Sequence, residues 1–147
     1  MNEKGAFRPR ERGQSMVEFG ASVAVLLILL AGTVDAGRAF FTYMALRDAV
    51  QEGALWGSYN PTETELIKNR VRRASSLVQA IADDPTATLT IDVDIDDSPC
   101  TGNGITVRAT YENFHITMPF LGAALGSQEV AIRASVTDTI LVPPCDE

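Results

Sequence analysis

The hydrophobic residues of this chain form one long uncharged segment, followed by shorter segments in which apolar and polar positions alternate. From Phe19 to Val34 no residue is charged, and together with residues 16–18 the segment spans nineteen residues. As a helix it is about 28 Å long, close to the roughly 30 Å thickness of a bilayer core. This length predicts a transmembrane helix at about residues 16–34.

The helical pattern continues beyond the uncharged segment. An apolar residue recurs at every third or fourth position, at Phe40, Tyr43, Leu46, Val50 and Ala54. One face of the helix is therefore expected to stay apolar for several more turns. Its aromatic residues suit either a belt at the membrane interface or packing under a folded head. We predict a helix over residues 14–58 and a head over residues 59–147.

A second helix is predicted at the start of the head. Asn60 is a favourable N-cap and Pro61 a favourable first helical residue, and the pattern continues to about Ala82. The residues expected to face inward are Leu66, Val71, Leu77, Val78 and Ile81. The helix also carries the basic run Lys68–Arg73, which suits a solvated face or, alternatively, a patch that docks a partner or lipid headgroups.

The remainder of the head contains three segments with the alternation of half-buried strands. They are TLTIDVDID (88–96), ITVRATY (105–111) and EVAIRASVTDTILV (129–142). The turn sequence CTGNG separates the first two, and a loop with proline and glycine separates the last two. We therefore predict an α+β fold in which a long N-terminal helix leads into one helix packed on a three-stranded antiparallel sheet.

Charge is distributed unevenly along the chain. Residues 1–13 carry a net +2, Glu18 carries −1 and the residues from Asp35 onward carry −8, which together give −7. Cations before an apolar segment stay on the cytoplasmic side, so the acidic head is expected to be extracytoplasmic. An acidic head also repels phosphate backbones, which excludes nucleic acid as a partner.

The chain has two cysteines, Cys100 and Cys145. A meander of the three predicted strands would bring them to the same end of the sheet. In an extracytoplasmic head they would then form a disulfide, which closes a loop of about 45 residues and contributes roughly 4 kcal/mol in the chain-entropy model. Two free thiols are the alternative. The spacing of cysteine and histidine does not suit a zinc site.

Glu18 is the only charged residue within the predicted membrane-spanning segment, and three interpretations of that segment treat it differently. The segment is a plain signal anchor, a secretory signal peptide cut after Ala36, or the helix of a prepilin. A carboxylate at the bilayer margin costs on the order of a few kcal/mol unless it is paired or reaches the headgroups. A cut after Gly13 would create an α-amino group at Gln14, which Glu18 of a neighbouring subunit could neutralise. Alternatively, Glu18 lies at headgroup level beside Arg12.

The sequence resembles the TadE-like minor pilins, or pseudopilins, of the tight-adherence (Tad/Flp) pilus system. The resemblance covers residues 12–54, through the segments RGQSMVEFG, DAGRAFF and ALRDAVQEGA. The matching elements are Arg12-Gly13-Gln14, Val17-Glu18-Phe19, Asp35, Gly37-Arg38 and Glu52-Gly53-Ala54. Departures occur at Met16, at residues 20–22 and at Leu55-Trp56, and they affect helix packing rather than cleavage.

The resemblance implies that residues 1–13 are a leader removed by a prepilin peptidase between Gly13 and Gln14. It implies that the remaining chain spans the cytoplasmic membrane once, with its N-terminus cytoplasmic, and assembles with other pilins and the Tad secretion machinery through Glu18 and Phe19. The function expected is structural: a minor pilin that supports assembly of an adhesive pilus. Whether it enters a surface pilus stays open. Alternatives are a major filament subunit and an anchored or secreted extracytoplasmic binding module.

No pattern in the sequence indicates catalysis. His115 is the only histidine and lacks a serine, cysteine or paired carboxylate at a suggestive spacing. The acidic residues 92–97 alternate with apolar ones, as in a strand, whereas a calcium loop wraps its ligands around one ion. Ion binding at Asp96 and Asp97 is the alternative there. We expect no enzyme activity, no cofactor, no metal and no small-molecule substrate.

Overall fold

The computed structural model describes residues 11–118, 122–123 and 126–142, without the side chains of residues 11 and 12. The element order is one long helix, two short helices and three strands. The helices are α1 (Glu11–Gly57), α2 (Thr64–Arg73) and α3 (Ser76–Asp83), and the strands are β1 (Leu89–Ile95), β2 (Gly104–His115) and β3 (Glu129–Thr139). The predicted α+β fold is confirmed.

The three strands form an antiparallel meander in the order β1-β2-β3. In its register Val93 lies opposite Val107 and Asp92 opposite Arg108. Strand β1 alternates as predicted, since Ile91 is buried while Asp92 and Asp94 are exposed. The apolar face of the sheet packs against the helices, and the other face carries charged and hydroxyl side chains.

The core lies between the sheet and the C-terminal half of α1. Leu46, Val50 and Ala54 are fully buried there, as the spacing predicts. They pack with buried residues of every other element, among them Val71 and Val107. Helix α1 thus has two parts: residues beyond about 35 help to build the head, while the preceding residues extend away from it.

Two predictions about the apolar stripe of α1 are corrected by the structure. Phe40 is 59% exposed and Tyr43 40% exposed, so neither is covered by the head. Their exposure argues against packing under the head for these two aromatics, whereas Phe41 lines a cleft together with Leu77, Tyr111 and Phe114 of the head.

The predicted single helix of the head is two helices. Ser75 has extended backbone angles, and its hydroxyl accepts a hydrogen bond from the Val78 amide at 3.2 Å. It therefore ends one helical segment and caps the next. The start was also misplaced: residues 60–62 form a turn, and α2 begins at Thr64.

The change of direction at Ser75 also changes which residues face inward. Val71 and Val78 are buried as predicted, but Leu66 and Leu77 are 51% and 41% exposed. Ile67 is fully buried instead. A continuous helix would keep one face inward, whereas a break rotates the second segment relative to the first.

Gly53 allows α1, α2 and the sheet to approach one another closely. A Cβ atom at this position would lie 2.5 Å from Cγ2 of Val71 and 3.6 Å from Cγ1 of Val107. Real Cβ atoms do not approach a neighbour to 2.5 Å, and valine is stiff about χ1. Gly53 is therefore required by packing rather than by backbone conformation.

We expect Gly53→Ala to lower the free energy of unfolding by up to about 2 kcal/mol. Overpacking costs about 1–3 kcal/mol, and the higher helix propensity of alanine returns about 1. Gly37→Ala is the matched control, because a Cβ there meets nothing within 4 Å. It should be neutral or slightly stabilising. Thermal unfolding of the two variants in detergent would measure the difference, and equal melting temperatures would contradict the packing argument.

Candidate assembly site

The predicted processing and assembly residues lie on the N-terminal part of α1, on a helix surface without tertiary contacts. Gly13, Gln14, Glu18 and Phe19 are all exposed, Phe19 by 70%. A Cβ at Gly13 would meet nothing within 4 Å. The backbone carbonyl of Glu18 accepts a hydrogen bond from the Ser22 hydroxyl at 2.9 Å, and the residue itself is exposed.

The apolar surface that follows Glu18 is also uncovered. Large side chains from Met16 to Val34 are between 39% and 79% exposed. In water such a surface would be strongly unfavourable, since burying one large apolar side chain contributes about 1.5–3 kcal/mol. By length and composition α1 can cross a membrane, and none of its most apolar window is buried in the protein. Within the part of the chain that the structure describes, such a surface is typical of a helix that lipid or neighbouring helices cover.

Asp35 connects the end of this apolar segment to the head. It is 4% exposed, and its Oδ2 accepts a hydrogen bond from the Met118 amide at 2.7 Å. Met118 follows strand β2 and lies 83 positions after Asp35 in the chain. Its Sδ would lie 3.5 Å from a Cβ atom placed at Gly32. The segment after β2 is thus attached to α1 at the first turn beyond the uncharged run.

Arg38 completes this junction. Its Nη1 donates to Thr117 Oγ1 at 2.8 Å and lies 3.4 Å from Asp35 Oδ1. Its guanidinium also lies over the ring of Phe114, 5.3 Å from the centroid. We call Asp35, Arg38, Thr117 and Met118 the junction cluster. One arginine therefore contacts α1, the end of β2 and the segment that follows it.

The junction cluster lowers the pKa of the Asp35 carboxyl below its ordinary value of 3.8. Desolvation alone would raise the pKa. The hydrogen bonds from Met118 and Thr117, together with the positive charge of Arg38, outweigh it in the opposite direction. The carboxylate is therefore kept ionised next to the membrane boundary.

Sequence reasoning missed the role of the junction cluster. The spacing of Asp35 and Arg38 indicates an i,i+3 pair, and that pair forms. The partner segment at residues 117–118 lies far away in the sequence and carries no charge, so no charge pattern indicates it. The family resemblance includes both Asp35 and Arg38, and it was the only signal in the sequence that could have indicated a role for these two residues beyond their own pair.

Cys100 is disulfide-bonded. Its turn lies against the end of the strand region after β3, where the Gly102 amide donates to the Ile140 carbonyl at 2.9 Å and Thr101 Oγ1 donates to the Leu141 carbonyl at 3.1 Å. Cys145 lies outside the described residues, so the pairing of the two cysteines stays a prediction.

The described residues, 11–118, 122–123 and 126–142, bring together no group of three or more histidine, cysteine or acidic side chains able to hold a metal ion. Asp97 has a positive φ of 66° in the turn after β1. That conformation is accessible to aspartate and is common in turns.

Among the described residues, a long exposed apolar helix is joined to a small α+β head, an arrangement that suggests a membrane anchor. Residues 13–55 match the family model described as TadE-like protein, which confirms the resemblance over that segment. The match associates the chain with Tad pili, through a family that is structural rather than enzymatic. No curated protein and no solved structure gives a significant match to the chain.

Proposed function

We propose that this protein is a structural minor pilin, or pseudopilin, that is cleaved after Gly13 and supports assembly of a Tad/Flp-type pilus. The observation that carries the proposal is an exposed acidic residue, Glu18, near the start of the otherwise uncharged and exposed segment 16–34 of α1. It lies within the segment that matches the TadE-like family. An exposed charge in this position has a use only if another charged group meets it.

Cleavage after Gly13 would supply that group. Gln14 would become the first residue, and its α-amino group would lie about one helical turn before Glu18. If neighbouring helices pack with an axial stagger, Glu18 of one subunit reaches the amine of the next. The two opposite charges then neutralise each other at the same depth in the membrane. An isolated subunit would carry the cost of an unpaired Glu18, so the pairing favours assembled over isolated subunits.

The structure supports retention of the helix in the mature protein. A secretory signal peptidase cutting after Ala36 would remove Asp35 from the Met118 amide and Gly32 from the Met118 side chain. The segment after β2 would then lose its attachment to α1. A plain signal anchor would retain these contacts but gives no account of Glu18.

The proposal places the basic leader in the cytoplasm, the helix in the cytoplasmic membrane and the head on the extracytoplasmic side. A dedicated prepilin peptidase, other pilins and the Tad secretion machinery are the proposed partners, and no enzymatic activity is proposed. Incorporation into an adhesive surface pilus follows if the subunit leaves the membrane with the filament. The competing functions are a major filament subunit and an extracytoplasmic binding module.

The first test is the intact mass and N-terminal sequence of the protein from cells with and without their prepilin peptidase. We expect a start at Gln14 that depends on the peptidase. A start at Gly37 would instead identify a signal peptide, and an uncut chain would identify an anchor. Either result would contradict the proposal and shift attention to the head as a binding module.

Gly13→Leu should block this processing, because the proposed peptidase accommodates little side chain before the cut. Gly20→Leu is the matched control. Both glycines lie on the exposed part of α1, and a Cβ meets nothing within 4 Å at either. Neither substitution should disturb packing within the protein. Normal cleavage of the Gly13→Leu chain would argue against the predicted cleavage position.

A further inference from the structure

Two oppositely charged surfaces of the head take no part in the site described above. The first is the outer surface of α2, which carries Arg72 and Arg73. We call it the basic face. The second is the outer surface of β1, with Asp92 and Asp94, together with Asp96 just after the strand; it is called here the acidic face. We propose that the basic face of one copy docks against the acidic face of a second copy in the same membrane.

The charges of the basic face are incompletely neutralised within the chain. Lys68 pairs with Glu65 at 3.1 Å and Arg70 with Glu52 at 3.5 Å. For Arg72 and Arg73, no carboxylate among the described residues lies within 4 Å. Arg72 donates to the neutral Asn69 side chain at 3.2 Å. Asp83 lines the same cleft as the two arginines but makes no ion pair with them.

The acidic face has the opposite imbalance. Asp94 lies 4.0 Å from Arg108 on the neighbouring strand. Asp92 and Asp96 are exposed and have no cationic partner among residues 11–118, 122–123 and 126–142. Their carboxylates lie on one side of β1 and of the residue just after it, because successive side chains alternate between the two faces of a sheet.

The two faces lie at the same level along α1. Val71, just before the two arginines, packs at Gly53, and Val107 packs at the same glycine from the sheet. Val93 lies opposite Val107 in the register, so Asp92 and Asp94 flank that level. Since α1 anchors every copy in the same direction, surfaces at equal height on two copies meet without tilting either helix.

The two faces also point in opposite directions. Ile67 and Val71 are buried toward α1 and the sheet, so residues 69 and 73, about half a turn away, face outward from the helical layer. The aspartates face outward from the sheet layer. Because the basic face and the acidic face lie on opposite sides of the head, a contact between them is heterologous. Such a contact repeats from copy to copy instead of closing as a two-fold dimer.

This contact adds a partner surface to the proposed function. It rests on that function, because the function gives all copies the same orientation in the membrane. Exposed ion pairs are individually weak and are screened within about 8 Å at physiological salt. The faces therefore set the orientation of neighbouring heads, while confinement in one membrane raises their effective concentration. Association of the heads should accordingly weaken as salt is raised.

The test uses the full chain, expressed as two differently tagged copies and co-purified from membranes in mild detergent. Arg72→Glu with Arg73→Glu reverses the basic face, and Asp92→Arg with Asp96→Arg reverses the acidic face. We expect either double variant alone to show a several-fold loss of self-association relative to the unaltered chain. When the two variants are co-expressed, the unaltered acidic face of one meets the unaltered basic face of the other, and the two reversed faces are also complementary. Co-purification should therefore recover.

Recovery in the mixed pair also excludes misfolding as the cause of the loss, because an unfolded head would not be rescued. Arg47→Glu, at an exposed position of α1, is the matched control and should leave association unchanged. The proposal is overturned if unaltered copies do not co-purify, if the double variants associate normally, or if the mixed pair is not rescued. Loss in the basic-face variant alone would indicate a different acidic partner. The start at Gln14, measured separately, tests the pilin function independently.

Discussion

Glu18→Ala should abolish assembly with other pilins while leaving cleavage and membrane insertion intact. The substitution removes the carboxylate that is proposed to neutralise the α-amino group of a neighbouring subunit. Each amine would then be buried among helices without a counter-charge, at a cost of several kcal/mol per subunit. Co-purification of the variant with pilin partners from membranes would measure the loss, and the N-terminal sequence would show that processing still occurs.

Two comparisons make the Glu18 result specific. Glu18→Gln keeps size and polarity but not charge, so it should assemble as poorly as Glu18→Ala if neutralisation is the cause. Ser22→Ala removes the hydroxyl that bonds the Glu18 carbonyl and should have little effect. Normal assembly of Glu18→Ala would favour a head that functions as an independent binding module.

Asp35→Ala should loosen the attachment of the head to α1. The substitution leaves the buried Met118 amide without its acceptor and the half-exposed Arg38 without its carboxylate. We expect the melting temperature to fall by several degrees. Amides of residues 116–118 should exchange faster with solvent, whereas those of the Leu46–Ala54 core should change little. Equal protection of the segment in both proteins would contradict the role assigned to the junction cluster.

The same carboxylate gives a pH dependence with a definite sign. Because the pKa of Asp35 is lower in the folded protein than its ordinary value of 3.8, its contribution to stability is fully present above about pH 5. It is lost progressively as the pH falls through 3.8 and then through the lower pKa of the folded protein. Below that pKa the carboxyl is protonated in both the folded and the unfolded state. Asp35→Asn lacks this dependence, so the difference between its melting temperature and that of the unaltered protein should shrink between about pH 6 and pH 3. A constant difference would exclude Asp35 as the titrating group.

The junction cluster has a mechanical consequence for the proposed pilin function. Force or packing applied to the apolar N-terminal part of α1 would reach the head through the continuous helix and through the hydrogen bond from the Met118 amide to Asp35. The head is therefore held in a fixed orientation relative to the helix. Neighbouring heads can then meet through fixed surfaces, as the proposed contact between the basic and acidic faces requires.

The sequence by itself determined the elements whose signal is local. The uncharged run predicted the exposed helix because a bilayer sets its length, and the alternation from Leu89 to Ile95 predicted β1 because side chains alternate across a strand. The order of the meander followed from the short turn between the first two strands. The motif around Gly13 and Glu18 was also visible, since it is contiguous and matches the family segment.

Only the tertiary structure decided the features that depend on distant partners. The break at Ser75 follows from a cap that competes with helix continuation, and it sets the orientation of α3, in which Val78 is buried and Leu77 exposed. Gly53 gained its role from Val71, and Asp35 from Met118, neither of which any spacing rule connects to it. Hydrophobic periodicity states which face of an element is apolar, but the partner of that face depends on how the elements are arranged in space.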